Sequence, residues 1–322
     1  MEARPLRMPV STIRARLVLE AASEMVGWND WTERQTRLTL REQGADSRPF
    51  SLFGGASPDM IPEVARGDLD VAMLNPGVLL TMAYRGIGPF TEPQPLRAIG
   101  VIPSYDQLAF AVAESTGLAS LEEVRERRFP LRVSVRGAHD PSVRLLVNQV
   151  LAGVGFSLEE IVAWGGEVIY DQPLPNAPSR IGAVERGESD AIFDEAIAVW
   201  ADRVTGLGMR FLPLGDEHLR RMESVGFRRG VVEKARFPNL PADVPTIDFS
   251  GWPLYTHASA PDRAIRSFCA ALEARKDRIP WEPTGLEPLP LDRMCHDSVE
   301  GPLDVPLHPA AEQFWREQGY LT

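Results

Sequence analysis

Short apolar runs alternate with helical patterns along this chain, and the alternation predicts an α/β protein. The clearest signal occurs twice, at 65–75 and at 185–195, where a helix ends on Arg-Gly, the chain turns through acidic residues, and a short apolar run follows. A glycine directly after a helix adopts the left-handed C-cap conformation at little steric cost. The apolar runs after Asp70 and Asp190 are too short for helices and are typical of buried parallel strands. Two such units, one in each half of the chain, predict two α/β lobes.

Similar patterns predict the other elements. Strands are expected at 16–22, 50–53, 96–102, 107–113, 131–135, 164–170 and within 246–258. Helices are expected at 28–43, 58–66, 140–151, 179–186, 216–225, 261–278 and 307–319, and another begins at the capping-box spacing of Ser120 and Glu123. Two strands bracket the polar turn at 103–106, and a return strand comes late in the chain. The chain is therefore expected to cross twice between the lobes, and two crossings make a hinge.

This order of elements predicts a two-lobed α/β fold. The first part of lobe 1 is expected at 1–110, lobe 2 at 111–248, and a return strand with C-terminal helices packing on lobe 1 at 249–322. A chain of 322 residues is long enough for two lobes with separate cores. Ligands bind beyond the carboxyl ends of strands in open α/β sheets, so the predicted site is a cleft between the lobes that closes by hinge motion.

A glycine-rich turn is the first candidate for ligand contact. Residues 54–57 read Gly-Gly-Ala-Ser between a strand and a helix, so Gly55 and Ser57 lie at a predicted helix N-terminus. Free backbone N–H groups and the positive end of the helix dipole attract anions such as carboxylates there. The simpler alternative is a tight turn in which Ser57 caps the helix and Pro58 opens it.

A basic loop in the other lobe is the second candidate. Arg136, His139 and Ser142 lie between a strand and a helix, and Arg144 follows one turn into that helix. A guanidinium there can bind a carboxylate through two parallel hydrogen bonds. The alternative is an arginine at the surface that pairs with Asp140.

The ends of the two repeat strands are the third candidate. Asn75 follows one strand, and Phe193 and Asp194 end the other. The polar groups among them can bind an amino group of a ligand or cap the following helix. Tyr170 and Trp164 offer a stacking wall for an organic ligand, although buried core is the commoner role of such aromatic residues.

Composition excludes several classes of function. A net charge of −11 gives no basic face for phosphates, so nucleic acid is not expected as a partner. The histidines lack the spacing of metal ligands, and no Walker loop or dinucleotide fingerprint occurs, so neither a metal nor a cofactor is expected. Cys269 and Cys295 form no disulfide framework, and a bridge between them stays open.

The expected compartment depends on whether an export signal belongs to the protein. The first ten residues hold two prolines and no apolar core segment, and no run approaches the roughly 18 apolar residues of a membrane helix. As the sequence stands, direct membrane insertion is not expected and the predicted location is the cytoplasm. It becomes periplasmic if an export signal is missing from this chain.

Four stretches resemble the TAXI-type solute receptors of TRAP transporters, which have the type II periplasmic-binding-protein fold. They are 54–57 followed by 67–72, 96–100 with 107–113, 133–135 with the loop after it, and 306–315, the most specific piece. The resemblance covers most of the chain and implies two lobes that close on a small organic carboxylate or amino acid and pass it to a TRAP-type membrane permease. It places the ligand among Ala22, Ser23, Ser57, Asn75, the loop 136–142, Phe193 and Asp194.

An enzyme of the same fold is the alternative. This chain reads Glu-Ala-Ala-Ser-Glu at 20–24, where the receptors have a glycine-rich turn, and its loop after residue 135 carries charged residues. The stretch 164–194 is similar to that of cytoplasmic decarboxylases of the dihydroxyphthalate type. In that interpretation Arg136 or Arg144 holds an aromatic carboxylate and His139 donates a proton. Binding without catalysis is the favoured prediction.

Overall fold

The computed structural model describes residues 10–28, 35–41, 48–55, 58–136, 141–171, 173–279, 281 and 287–322. Its strands are β1 (Thr36–Leu40), β2 (Phe50–Gly54), β3 (Val71–Met73), β4 (Leu96–Ile102), β5 (Gln107–Ala113), β6 (Arg132–Arg136), β7 (Glu167–Asp171), β8 (Ala191–Asp194), β9 (Met209–Phe211), β10 (Arg229–Val232), β11 (Val244–Asp248) and β12 (Trp252–His257). Its α-helices are α1 (Val10–Met25), α2 (Met60–Ala65), α3 (Val78–Arg85), α4 (Leu121–Glu126), α5 (Pro141–Val154), α6 (Leu158–Ala163), α7 (Pro178–Glu185), α8 (Ala201–Thr205), α9 (Asp216–Ser224), α10 (Asp262–Arg275), α11 (Leu291–Met294) and α12 (Pro309–Glu317).

Two separate sheets confirm the predicted two-lobed α/β fold. The first has the strand order β1-β2-β3-β12-β4, and the second has the order β10-β11-β5-β8-β6-β7, with β9 paired to β5. In the first sheet β2 is parallel to β3, and β12 runs antiparallel between β3 and β4. In the second sheet β6 is parallel to both β7 and β8, and β8 is antiparallel to β5.

Two short segments cross between the sheets, as predicted. The first joins β4 to β5 through 103–106, and the second joins β11 to β12 through 249–251. The segments lie against each other: the Gly251 N–H donates to the Ser104 carbonyl at 2.9 Å, and the Ser250 hydroxyl donates to the Asp106 carbonyl at 2.9 Å. The lobes are therefore joined by a pair of hydrogen-bonded connections.

The repeated sequence forms the same local structure in both lobes. Gly67 after α2 and Gly187 after α7 have φ angles of +75° and +67°, so both helices end in the left-handed conformation that glycine favours. Strands β3 and β8 begin after the acidic turns, and each is parallel to a neighbouring strand. The sequence prediction of these two helix–strand units is confirmed.

The aspartate before each repeat strand ties that strand to its parallel neighbour. Asp70 accepts hydrogen bonds from Arg48 Nη1 and Nη2 at 3.0 and 2.5 Å and from the Ser51 N–H, in β2, at 2.7 Å. Asp190 accepts from Arg132 Nε and Nη2, in β6, at 2.8 and 2.6 Å and from the Arg132 N–H at 3.1 Å. These two acidic residues therefore have structural roles.

The largest apolar cluster runs through both lobes. It joins Leu74 and Met82 of the first lobe with Phe110 and Phe227 of the second. Two further clusters lie on one lobe each, one under α10 to α12 and one around Trp200. Contact between the lobes is therefore apolar as well as polar.

The N-terminal part of lobe 1 contradicts the sequence prediction. The strand predicted at 16–22 lies inside helix α1, because Leu, Ala, Arg and Glu are good helix formers and Arg16 and Glu20 stand four residues apart. Part of the helix predicted at 28–43 is strand β1, whose Thr-Arg-Leu-Thr-Leu sequence alternates and pairs antiparallel with β2.

Two further predictions are wrong in detail. Trp164 is the C-cap residue of α6 and precedes β7, because Ser157 caps a short helix that takes up the preceding stretch. The return strand predicted within 246–258 is two strands, β11 in the second sheet and β12 in the first, separated by the second crossing.

Candidate functional site

The carboxyl ends of the parallel strands in both sheets lie at the edges that the crossings join. In the first sheet β4 runs parallel to β2 and β3 and leads into the first crossing. Asn75 follows β3, and its Nδ2 donates to the Gly251 carbonyl of the second crossing at 3.2 Å. In the second sheet the Ala196 N–H, after β8, donates to Asp106 Oδ2 of the first crossing at 3.0 Å. Loops that follow these strands therefore share one region of the molecule.

Arg136, the last residue of β6, is held between two acidic residues at this edge. Its Nη2 lies 2.8 Å from Asp194 Oδ1, and its Nη1 forms an ion pair with Glu195 Oε1. All three side chains are buried. The structure thus brings together two of the residues predicted from sequence, Arg136 and Asp194. Asp140, the alternative partner of Arg136, lies outside the described residues.

A second buried arginine, which sequence reasoning missed, completes the cluster. Arg180 on α7 is 2% exposed, and its Nη1 lies 2.6 Å from Asp194 Oδ2. Its Nε donates to Ser134 Oγ at 2.9 Å, and that hydroxyl donates to Asp171 Oδ2 at 2.5 Å. One signal in the sequence could have indicated such an arginine. Acidic residues end both β7 and β8 at the same edge of the sheet, and buried carboxylates require a cation nearby.

Burial dominates the electrostatics of Asp194. It raises the pKa of this carboxyl to about 6, although Arg136 and Arg180 both act to lower it. Two guanidinium groups face three carboxyl groups, those of Asp171, Asp194 and Glu195, so the cluster holds no excess positive charge.

Glu195 connects this cluster to the first crossing. Its side chain hydrogen-bonds with Asp106, which also accepts from the N–H groups of Ala196 and Ile197 at 3.0 Å each. Burial raises the pKa of Asp106, and these hydrogen bonds oppose the rise. The crossing and Arg136 therefore belong to one hydrogen-bonded chain.

The other predicted residues of the second lobe have mixed environments. Ser142 is buried in the first turn of α5, and Phe193 is buried with its ring centroid 5.1 Å from that of Phe110. The Arg144 guanidinium lies 5.8 Å from the ring centroid of Tyr170, which is 49% exposed at the end of β7. Arg144 and Tyr170 thus form a pair near the carboxyl end of β7, whereas Phe193 belongs to the core.

The first lobe contributes less to the described site. Gly55 is buried after β2, and Asn75 contacts the second crossing. Ala22 and Ser23 lie in helix α1 and not in a loop after a strand, so the local structure on which their prediction depended is wrong. Two other predicted residues lie outside the described ranges, Ser57 and His139.

Metal-binding and membrane-spanning features are missing from the part of the chain that the structure describes. Within it, no group of three or more His, Cys, Asp or Glu side chains is arranged to hold a metal ion. None of the helices in the same ranges has the length and apolar character needed to span a bilayer. Cys269 and Cys295 are free thiols buried in the first lobe.

Several solved structures of solute-binding proteins are distantly similar to this chain. The glycine betaine/L-proline-binding protein ProX from Borrelia burgdorferi is 11% identical, with a TM-score of 0.38 over 66% of each chain, just under two thirds of its length. MatC from Rhodopseudomonas palustris, solved with bound malate, is 11% identical, with a TM-score of 0.36 over 80% of each chain. A TctC solute-binding protein from Polaromonas is 15% identical, with a TM-score of 0.35 over 66% of each chain. Similarity this low identifies no ligand.

Sequence similarity gives a firmer assignment. No curated protein is significantly similar to the chain. The sequence pattern of the NMT1-like family matches residues 53–319, a range that includes every strand from β3 to β12. Because this match covers most of the chain, the protein belongs to the NMT1-like family.

Proposed function

We propose that this protein binds a small organic carboxylate between its two lobes, without catalysing a reaction, and delivers it to a membrane permease of the TRAP type. The observation that carries the proposal is the common position of the strand ends: the carboxyl edges of both sheets lie where the crossings join the lobes. Ligands bind at such edges in open α/β sheets. Arg136, at the end of β6, is the cation that meets the carboxylate.

The environment of Arg136 supports a specific mode of ligand binding. Its guanidinium is already oriented by Asp194 and Glu195, so little conformational entropy is lost when a ligand arrives. A ligand carboxylate takes the place of Glu195, which is 8% exposed, in preference to Asp194, which is fully buried. Tyr170 and Arg144 at the neighbouring strand end contact the organic part of the ligand.

The test is a panel of small carboxylates, with unfolding temperature as the readout. A ligand that binds only the folded state raises this temperature, and the increase grows with ligand concentration. We expect one chemical class of carboxylates to do so. Arg144→Ala should then weaken binding several-fold, whereas Arg220→Ala, in α9 of the same lobe, should leave the affinity unchanged. Absence of any shift across a broad panel would contradict the proposal.

A further inference from the structure

A segment between α11 and α12 lies across both lobes, and we name residues 295–308 the strap. Its end is fixed to the first lobe, where the Ala98 N–H in β4 donates to the Pro306 carbonyl at 2.9 Å. Its middle covers the first crossing, where the Ser104 N–H donates to the Glu300 carbonyl at 2.7 Å. The strap is therefore a part of the first lobe that extends over the hinge.

Two arginines of the second lobe flank strand β10 and pair with acidic residues of the strap. Arg228 Nε and Nη2 each lie 2.8 Å from an oxygen of Asp304, and its Nη2 also lies 2.7 Å from Asp297 Oδ1. Arg236 Nη2 lies 2.7 Å from Glu300 Oε1. These contacts join residues that are far apart in sequence and belong to different lobes.

The Arg228–Asp304 pair differs from an ordinary surface ion pair. The two side chains are 31% and 19% exposed, and their two parallel hydrogen bonds have the fork geometry that makes such pairs strong. Desolvation acts to lower the pKa of Arg228, yet the hydrogen bonds to Asp304 and Asp297 raise it overall. Isolated exposed pairs contribute little to stability, whereas two-bond geometry and membership of a charge network make a contribution measurable.

An apolar contact between the lobes accompanies these ion pairs. Ile87, after α3 of the first lobe, packs on Gly226, after α9 of the second: a Cβ built on Gly226 would lie 2.9 Å from Ile87 Cδ1. The Thr81 hydroxyl of α3 also donates to Asp304 Oδ2 at 3.4 Å. The strap, α3 and the end of α9 therefore form one interface between the lobes.

We infer that the strap is an ionic latch that sets the angle between the two lobes. Its carboxylates hold Arg228 and Arg236, and rotation of the lobes about the crossings has to break these pairs. Hinge motion therefore depends on ionic strength, chiefly through the more exposed pairs of Arg236 with Glu300 and of Arg228 with Asp297. The inference rests on the proposed function only in that lobe closure serves binding, since the latch itself acts without a solute.

The experiment measures the distance between the lobes in the full chain without solute. Spin labels are attached at Arg66→Cys and Glu188→Cys, exposed positions on the first and second lobes, and pulsed EPR gives the distances. Arg228→Ala with Arg236→Ala should broaden the distance distribution and lengthen its mean. Arg220→Ala, which removes a charge from α9, should leave it unchanged. About 1 M NaCl should broaden the distribution of the otherwise unmodified protein and add little to that of the double variant.

A charge exchange keeps the test decisive if the first variants fold poorly. Arg228→Asp should broaden the distribution, and Arg228→Asp combined with Asp304→Arg should restore it at least in part. An unchanged distribution in the folded double variant, or no recovery on charge exchange, overturns the latch. A different result would refute the proposed function but not the latch: no carboxylate of the panel raises the unfolding temperature, while the latch variants still show a longer and broader distance distribution.

Discussion

Two tyrosines show how a hydrogen-bond partner decides the energetic value of a polar group. Tyr255 on β12 is fully buried, and its hydroxyl has no hydrogen-bond partner among the described residues. The Tyr105 hydroxyl in the first crossing donates to the Val231 carbonyl at 2.5 Å and accepts from the Glu233 N–H at 3.2 Å. A buried polar group that lacks a partner costs about 1–3 kcal/mol.

Replacement of these tyrosines should therefore change stability in opposite directions. Tyr255→Phe removes an unpaired hydroxyl and should raise the free energy of unfolding by about 1 kcal/mol. Tyr105→Phe removes two hydrogen bonds and should lower it by about 1 kcal/mol. Denaturant titrations of both variants measure the difference, and a loss of stability in Tyr255→Phe would contradict the environment described for its hydroxyl.

Sequence reasoning at the residue scale found individual site residues but not their partners. It selected Arg136 and Asp194 because each stands at the end of a predicted strand, and each does end a strand. It did not predict that they pair, because the order of strands in the sheet decides which ends are neighbours, and β6 lies beside β8 although β7 intervenes in the chain. Arg180 was missed because its position in a helix gives no sign of the face that it occupies.

At the scale of elements, the ion pair that anchors each repeat strand is the feature to test. Asp190, with a side chain 22% exposed, holds Arg132 through two hydrogen bonds and also accepts the Arg132 N–H. Asp190→Asn should lower the free energy of unfolding by about 1–2 kcal/mol, because bonds to a charged acceptor are lost. Glu188→Gln is the matched control: its pair with Arg186 is exposed, so unfolding in denaturant should be nearly unchanged. Equal effects of the two substitutions would exclude an anchoring role for Asp190.

The sequence predicted elements well where two kinds of signal agreed. Both repeat units combine a helix stop at glycine with a short apolar run, and both form as predicted. Residues 16–22 carry an apolar run that suits a strand and residue types that suit a helix, and the helix forms. Strand β1 forms because its neighbour β2 supplies the pairing, which a local pattern does not reveal.

At the scale of the whole molecule, buried acids make stability depend on pH in an unusual direction. Burial raises the pKa of Asp194 and of Asp248 from 3.8 to about 6. The folded protein keeps these protons up to about pH 6, whereas the unfolded chain releases them at about pH 4. Through these two groups, stability therefore falls as pH rises from about 4 to about 6.

Asp248→Asn tests this dependence away from Arg136. Asp248 Oδ1 accepts from Gln107 Nε2 and from the Ser250 N–H at 3.2 Å each, and an asparagine oxygen can keep both bonds. As the pH rises from about 4 to about 7, the free energy of unfolding of the variant should increase by about 2 kcal/mol relative to that of the unmodified protein. Denaturant unfolding at several pH values measures the gain, and a constant difference between the two proteins would refute the raised pKa.

Two other acids, Asp106 and Glu195, predict that ligand binding takes up a proton. Glu195 pairs with Arg136 and neighbours Asp106, whose pKa is raised by burial. When a ligand carboxylate replaces Glu195 on Arg136, the two acids lose this cation, and negative charge on them becomes less stable in a buried position. These two acids then bind a proton, so affinity for the carboxylate should be higher at about pH 6 than at about pH 8.

Titration calorimetry in two buffers of different ionisation enthalpy counts these protons, with up to one expected per ligand. Glu195→Gln should reduce the uptake, because the amide cannot bind a proton. Arg220→Ala, remote from the acid pair on α9, should leave the proton count as it is in the unmodified protein. A ligand that binds the unmodified protein without uptake would show that it does not displace Glu195 from Arg136, and the carboxylate would then have to meet a different cation of the cleft.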